Sequence, residues 1–287
     1  MLKKVLVTLT ILAVSTLYLT VDSQSSSFSS HDYAITINLA GRQRMLTQKM
    51  SKEILFIAKG FEAGKYRNTL KKTADLFDST LDGLINGNKR LKATNNKEIQ
   101  AQLRKVKTLW KSFYSIIETV VEGGKPDVEK IARLNMPLLK NMNTAVQMYT
   151  KEAKQVTGKA AGKVINLAGK QRMLTQKMSK EMLLAALGYD TANSVAELKK
   201  TADLFDKTLK GLRNGDKELG LPATSAAGIV VQLDEVASIW RDFKAVVEKV
   251  TAAGAADDGD IKKMSELNIP LLKSMNKAVM MYEKVEH

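Results

Sequence analysis

The chain carries one long segment twice, and this repeat constrains its fold more than any other feature. Residues 37–55 read INLAGRQRMLTQKMSKEIL and residues 165–183 read INLAGKQRMLTQKMSKEML, so the copies differ at two of nineteen positions. They begin 128 residues apart, and the sequence between them is repeated more loosely. A repeat of this length is a whole structural unit. We therefore expect two similar domains in tandem.

Helical periodicity divides the repeat into three faces. Side chains advance by about 100° per residue along a helix. The apolar face, which we expect in the core, contains Leu39, Leu46, Met50, Ile54 and Ile57. The second face has a single cation among neutral polar groups and a glycine, and comprises Gly41, Arg44, Thr47, Gln48 and Ser51. The third face, which we expect to be solvated, contains Arg42, Lys49, Lys52 and Glu53.

The second face has two interpretations. A glycine lets another backbone approach closely, and an arginine offers five donors in a fixed fork, so this face could hold a small anion or carbonyl ligand between helices. Alternatively, it is a polar seam between packed helices in which Arg44 pairs with a carboxylate. The residue pattern leaves both open. The candidate ligand-binding residues are Gly41, Arg44, Thr47, Gln48 and Lys49, with Gly169, Arg172, Thr175, Gln176 and Lys177 in the second copy.

The NLAGRQRMLTQKM pattern resembles the signature of the PilJ-type sensor domain, the N-terminal region of type IV pilus chemotaxis transducers. It is also similar to the ligand-binding segment of periplasmic nitrate/nitrite sensor kinases. The resemblance implies antiparallel four-helix bundles outside the inner membrane. In the nitrate sensors, the first helices of two subunits meet and an arginine from each holds one nitrate.

Carried over by position, Gly41, Arg44 and Met45 match the Gly-x-x-Arg-Met part of that segment. The nitrate-binding arginine falls on Lys49 here and on Lys177 in the second copy. A lysine is a point charge that cannot clamp a planar oxyanion with two bonds. The resemblance therefore implies a small anionic or polar solute, with nitrate itself disfavoured.

The N-terminus has the pattern of an export signal. The cationic MLKK is followed by an apolar run over residues 5–21 and a Ser-rich spacer over residues 22–30. Seventeen apolar-leaning residues are at the lower limit for spanning a bilayer, so residues 1–30 are interpreted as either a signal peptide or an N-terminal membrane anchor. We expect a periplasmic protein, soluble or anchored to the inner membrane. The absence of cysteine is compatible with that compartment and excludes thiol nucleophiles and Cys-based metal sites.

Helix-terminating signals occur in the same order in both copies, and sustained strand alternation is absent. The sequence therefore predicts an all-α fold of two tandem antiparallel four-helix bundles, over residues 31–157 and 163–287. Asn95 and Ser194 are the expected caps of the third and sixth helices. Gly158 and Gly162 favour a turn between the bundles, which would place the motif helices side by side as an internal pseudo-dimer. A continuous helix would instead stack the bundles end to end, and homo-oligomerisation is a further arrangement.

Composition disfavours several function classes. The net charge of +15 suggests polyanion binding, but the lysines are interspersed with acids and aromatic residues make up only 6%. Nucleic acid is thus a poor candidate, whereas anionic lipid headgroups and acidic cell-wall polymers stay open. The two histidines lie at His31 and His287, and neither a catalytic set nor a cofactor or metal site can be assembled. Methionines at helical spacing are interpreted as core residues.

Two functional hypotheses follow. The first is a periplasmic sensory protein that binds a small anionic solute through the repeated helix. Because the chain ends soon after the eighth predicted helix, we expect it to signal through a membrane-bound sensor, chemoreceptor or pilus component. The second is a structural or adaptor bundle that docks an envelope, chemotaxis or pilus protein. An enzyme has no residues in its favour.

Overall fold

Eight α-helices make up most of the described chain, residues 28–158 and 161–285 of a computed structural model. They are α1 (Ser30–Lys59), α2 (Ala63–Asn86), α3 (Lys97–Val121), α4 (Val128–Thr157), α5 (Ala161–Ala186), α6 (Thr191–Asn214), α7 (Ala227–Ala253) and α8 (Asp258–Val285). The all-α prediction is confirmed. The predicted signal or anchor lies outside the described residues, apart from its last three positions. None of the described helices is long and apolar enough to cross a membrane.

The helices form two bundles with the same connectivity. In the first half of the chain, α1 packs against α2 and α4, and α3 closes the ring by packing against the same two helices. In the second half, α5 packs against α6 and α8, and α7 closes the ring by packing against the same two helices. Short connections between neighbouring helices make each bundle antiparallel.

The two halves lie side by side through their motif helices, because α1 and α5 form the most extensive interhelical contact of the described chain. The helix α4 ends at Gly158, whose φ of 69° is left-handed, and the chain turns there. Gly162 does not contribute to the turn. It lies within α5, and a Cβ built on it would be 2.8 Å from Cδ1 of Ile37 on α1. This glycine therefore permits close packing of the two motif helices.

This arrangement buries α1 on nearly every side. The predicted core face is confirmed, since all five of its members are buried. The expectation of a solvated third face is wrong for Lys52 and Glu53, which are each 2% exposed. The reason is that α1 is packed by its own bundle on one side and by α5 and α8 on the other. A helix surrounded in this way has no outer face.

Helix caps differ from the sequence prediction at two places. The third helix is capped by Asn96 rather than Asn95, since the Asn96 side chain accepts bonds from the backbone N–H groups of Glu98 and Ile99. Ser194 is not a cap, because α6 begins at Thr191. Ser194 instead donates to the carbonyl of Tyr189 at 3.0 Å.

One connection contains a short hairpin that the sequence did not predict. After α6, the short strand β1 (Gly215–Asp216) pairs antiparallel with β2 (Leu221–Ala223). Gly215 has φ 82° and ψ 154°, a conformation open almost only to glycine, and it ends the helix in an extended direction. Leu221 then returns to the bundle and is 5% exposed.

Candidate functional site

The two motif arginines lie close together in the α1–α5 interface. Arg44 on α1 and Arg172 on α5 are each 1% exposed. A Cβ built on Gly41 would lie 3.3 Å from Nη2 of Arg44 and 3.8 Å from Nη2 of Arg172. The same two distances, with the arginines exchanged, apply to Gly169. The missing side chains of the two glycines therefore leave room for both guanidinium groups, related by an approximate two-fold axis.

Every acceptor of these arginines is a neutral amide oxygen. Arg44 donates from Nη1 to Oδ1 of Asn143 at 2.8 Å and from Nη2 to the carbonyl of Asn166 at 3.1 Å. Arg172 donates from Nη1 to Oδ1 of Asn276 at 2.8 Å. Its Nη2 donates to Oδ1 of Asn38 at 2.8 Å and to the Asn38 carbonyl at 3.2 Å. The Nε of each arginine is buried and has no partner among the described residues.

The positive charge at this position is not neutralised within residues 28–158 and 161–285, where neither arginine forms an ion pair. Burial lowers the pKa of Arg44 to about 10. Burial, with the positive charges of Arg42 and Arg44, lowers the pKa of Arg172 to about 9, and Glu283 partly offsets this effect. Both groups stay cationic at neutral pH, but their charged forms are destabilised. Arg44 therefore lies in a polar seam between packed helices, as the second interpretation predicts, but the expected carboxylate partner is wrong for the described chain, where amide oxygens take its place.

Among the described residues, the side chains of Thr47 and Gln48 form no hydrogen bond to the guanidinium groups of the arginines. Gln48 donates to Oδ1 of Asn135 on α4 at 3.0 Å and to Oγ1 of Thr47 at 3.0 Å. Asn135 in turn donates to the carbonyl of Thr47. In the second half, Gln176 and Thr175 have the corresponding relation to Asn268 on α8. These residues connect the motif helix to the last helix of their own bundle.

The lysines expected at the edge of the site also lie elsewhere. Lys49 forms an ion pair with Glu53 one turn along α1 and donates to Oγ1 of Thr73 on α2 at 2.6 Å. Lys177 forms the equivalent pair with Glu181 and donates to Thr201 on α6 at 2.8 Å. Each lysine is held inside its own bundle by a buried carboxylate. Neither therefore takes the place of a ligand-binding arginine.

Two buried lysines cross the interface instead, and one of them, Lys52, was expected to be solvated. Lys52 on α1 donates to Oδ1 of Asn268 on α8 at 2.7 Å. Lys180 on α5 points to Asn135 on α4, at 3.4 Å. Burial lowers the pKa of Lys52 to about 7 and that of Lys180 to about 8. Each motif helix thus extends one lysine into the opposite half.

The asparagines that accept hydrogen bonds from the two arginines were not predicted, although the sequence contains a signal for them. Asn38 and Asn166 belong to the repeated segment itself. Asn143 and Asn276 end the repeated pattern Leu-Leu-Lys-x-Met-Asn, which occurs once in each half. A polar residue repeated within two otherwise core-forming helices indicates a buried partner. No cluster of three or more His, Cys, Asp or Glu suited to a metal ion is found in the described ranges.

Comparison with known proteins gives two matches. Residues 26–134 and 156–260 both match the PilJ family model, described as the type IV pili methyl-accepting chemotaxis transducer N-terminal region. These segments together cover more than half of the chain. The methyl-accepting chemotaxis protein McpN of Pseudomonas aeruginosa is 33% identical over 115 residues, which are 40% of this chain and 21% of that protein. The chain therefore matches about a fifth of the relative's length.

Proposed function

Because this chain belongs to the PilJ family of chemotaxis transducer N-terminal regions, we propose that it is a sensory module that binds one small anion between Arg44 and Arg172. One observation carries the proposal. Two guanidinium groups are buried next to each other, with only neutral amide oxygens as partners. Burying a charge without a counter-charge is costly, so an anion placed between the arginines would stabilise the folded state.

The arginines have the donors that an oxyanion requires. The unpartnered Nε of each arginine, together with an Nη group, forms an edge that can donate two parallel bonds to two oxygens. The amide groups of Asn143 and Asn276 accept from the arginines in the structure. Rotating either amide by half a turn would present its NH₂ group, which can donate to an anion. The two amide side chains can therefore present either hydrogen-bond acceptors to the arginines or hydrogen-bond donors to an anion.

Anion binding would change how the two halves are held together. Nη2 of Arg44 donates to the Asn166 backbone in the other half, and Nη2 of Arg172 donates to the Asn38 backbone. An anion that recruits these Nη groups weakens both cross-links and favours a different packing of α1 on α5. A ligand shifts such an equilibrium by its difference in affinity for the two packings. This change is the signal that we propose a partner protein reads.

The ligand is proposed to be a small oxyanion. Nitrate is included among the candidate ligands, because Lys49 and Lys177, the residues that disfavour it, pair with Glu53 and Glu181 rather than with the site. The test is a thermal-shift panel of the sodium salts of nitrate, nitrite, sulfate, phosphate and acetate, with chloride as reference. A ligand at a hundredfold excess over its Kd stabilises the fold by about 2.7 kcal/mol. If every salt shifts the melting temperature equally, the proposal fails.

Replacing both arginines separates the sensory function from a structural one. The Arg44→Ala/Arg172→Ala variant should bind the anion about a hundred- to ten-thousandfold more weakly, because each charge-assisted bond contributes about 1.5–3 kcal/mol. Its melting temperature in the absence of ligand should fall only moderately, because two bonds across the interface are lost but no carboxylate loses its partner. Isothermal titration calorimetry and a thermal melt give the two readouts. Unchanged binding with an early melt would make the arginines structural and favour the adaptor hypothesis.

The lysine variants provide a matched control. Lys49→Met/Lys177→Met leaves Glu53 and Glu181, which are 2% exposed, without their ion pairs. We expect this variant to melt earlier than the parent protein and to keep its affinity for the anion. A loss of affinity equal to that of the arginine variant would place the site at the lysines instead.

The proposed location is the periplasm, with the signal passed to a chemotaxis or pilus signalling system. The export pattern of residues 1–30 supports the location, and the relative's chemotaxis name supports the pathway. Fractionation by osmotic shock tests the location, and recovery of the protein in the cytosol would contradict it. Co-purification with a chemoreceptor or pilus protein from the native envelope would identify the partner.

A further inference from the structure

A cavity lies at the boundary between the first and second halves of the protein. The cavity has a volume of about 510 Å³ and lies where the beginning of α4 meets the end of α5 and the beginning of α6. This volume is within the range of small-molecule sites, about 300–1,000 Å³. Its lining includes Arg133, Lys180, Glu181, Leu184 and Ser194.

The first half carries larger side chains at the equivalent positions. The repeat spacing of 128 residues aligns Leu184 with Phe56 and Ser194 with Tyr66. The rings of Phe56 and Tyr66 stack with their centroids 4.2 Å apart and their planes 6° from parallel. Leucine and serine leave that volume unfilled in the second half. The lining of the cavity thus departs from the internal symmetry of the chain at these two positions.

A buried lysine without an ion-pair partner among the described residues lines this cavity, where the carboxylates of Glu181 and Glu197 act on it only through space. Lys180 is 6% exposed, and its Nζ approaches Oδ1 of Asn135 at 3.4 Å and Sδ of Met136 at 3.9 Å. The symmetry-related Lys52 makes a much closer bond to its asparagine, at 2.7 Å. An ammonium group has three donors, so Lys180 retains donors for a further acceptor. A carboxylate in the cavity would supply both the acceptor and the negative charge.

A buried acceptor accompanies that cation. Glu181 is 2% exposed and forms an ion pair with Lys177 through Oε1, whereas its Oε2 is buried and has no partner among the described residues. Further lining carboxylates lie nearer the solvent, on Glu129, Asp190 and Glu197. These are partly countered by Arg133, which also lines the cavity. The cavity therefore offers a carboxylate oxygen to a ligand ammonium as well as an ammonium to a ligand carboxylate.

We propose that this cavity is a second ligand site, separate from the arginine site, that binds an α-amino acid as its zwitterion. Lys180 receives the ligand carboxylate and Glu181 receives the ligand ammonium. The volume left by Leu184 and Ser194 holds the ligand side chain. The mixture of signs distinguishes this site from the arginine pair, where both charges are positive.

The experiment is isothermal titration calorimetry of the full chain against each of the twenty L-amino acids. At least one should bind, and its N-acetyl derivative and its decarboxylated amine should not, because each lacks one of the two charges. Leu184→Phe/Ser194→Tyr, which installs the first half's side chains, should abolish binding. Lys180→Met should weaken it about ten- to hundredfold, the effect of losing one charge-assisted bond.

Lys52→Met is the matched control, because Lys52 is the counterpart of Lys180 in the other half. It should leave amino-acid affinity unchanged, and the anion affinity of the arginine site should be the same in all three variants. The proposal is overturned if none of the twenty amino acids binds, if the N-acetyl derivative binds as tightly, or if the Leu184→Phe/Ser194→Tyr variant retains the parent's affinity. Because anion binding is measured separately, failure of this site is distinguishable from failure of the arginine site.

Discussion

Individual buried cations are the most unusual residues of this protein. Arg44, Arg172, Lys52 and Lys180 lie in or beside the interface of the two halves, and amide oxygens are their main acceptors. Amide oxygens satisfy donors without neutralising charge. These buried cations therefore contribute little to the free energy of folding. Their presence is consistent with a role in binding or in the specificity of packing.

The two lysines make the stability of the fold depend on pH. Burial depresses their folded-state pKa values to about 7 and about 8, below the ordinary 10.5 of the unfolded chain. Between the folded-state and unfolded-state pKa values, the unfolded chain binds more protons than the folded protein. The free energy of unfolding should therefore rise as the pH increases from about 7 towards 10. For each lysine, the free energy of unfolding can rise by at most about 1.4 kcal/mol per pH unit.

Urea denaturation at pH 7 and pH 9 checks this dependence. The free energy of unfolding of the parent should increase over this interval by more than that of the Lys52→Met/Lys180→Met variant. Other titrating groups are common to both proteins, so the difference reports the two lysines. Equal increases in both proteins would contradict the prediction.

Helix periodicity predicted part of this residue pattern correctly. It placed Gly41 and Arg44 on one face, and the structure brings both into one interface. It assigned Lys52 to solvent because a single-helix projection contains no information about a second bundle. The partners of the arginines, such as Asn143, are about one hundred residues away in sequence, and their contact depends on tertiary packing alone.

At the level of secondary-structure elements, the connection after α6 depends on one glycine. Gly215 combines a positive φ of 82° with an extended ψ of 154°. A Cβ added there would lie 2.9 Å from the backbone nitrogen of Ala223, an atom fixed by the hairpin. Gly254, at the end of α7, has φ 69° and ψ 8°, and a Cβ added there would meet nothing within 4 Å.

Gly215→Ala should therefore destabilise the protein more than Gly254→Ala. The second change only places alanine in the left-handed region, at a cost of about 1 kcal/mol. The first adds a steric clash and a rarer conformation, for which about 1–3 kcal/mol is typical. Chemical denaturation of the two variants gives the comparison. Equal denaturation midpoints would show that the hairpin accommodates the added Cβ without a further loss of stability, which would contradict the prediction.

Most elements could be predicted because their ends carry local signals. Gly60 and Gly87 terminate α1 and α2, as glycine commonly does at the end of a helix. The Asn95 error was one position, since either of two adjacent asparagines can cap a helix. The hairpin was missed because its strands contain two and three residues, too few to produce a visible alternation.

At the level of the whole molecule, α1 and α5 pack as the corresponding helices of two subunits would in a symmetric dimer. Gly41 and Gly169 have the same distances to the two arginines, and each arginine bonds to the other half's backbone. Either half alone would expose this apolar and cationic face to water. The arrangement was predicted from two glycines near residue 160, of which only Gly158 forms the turn.

A fragment of residues 28–158 should consequently form a homodimer through α1. Isologous pairing would place Arg44 of one copy beside Arg44 of the other. It would also allow Lys52 to reach Asn135 of the other copy, as Lys180 reaches Asn135 here. Sedimentation equilibrium would show a species of twice the fragment's mass. A fully helical fragment that stays monomeric at high concentration would contradict the prediction.

The turn at Gly158 has a consequence for how the protein responds in the cell. A receptor whose site is shared between separate subunits loses that site when its expression falls below the dimer dissociation constant. For the anion site that we propose between Arg44 and Arg172, the second half is supplied at the fixed effective concentration of a tethered segment. The dose–response curve of such a sensor is the same in a cell with few copies as in one with many. Covalent joining also removes the requirement that both halves have the same sequence, so one can evolve while the other is conserved.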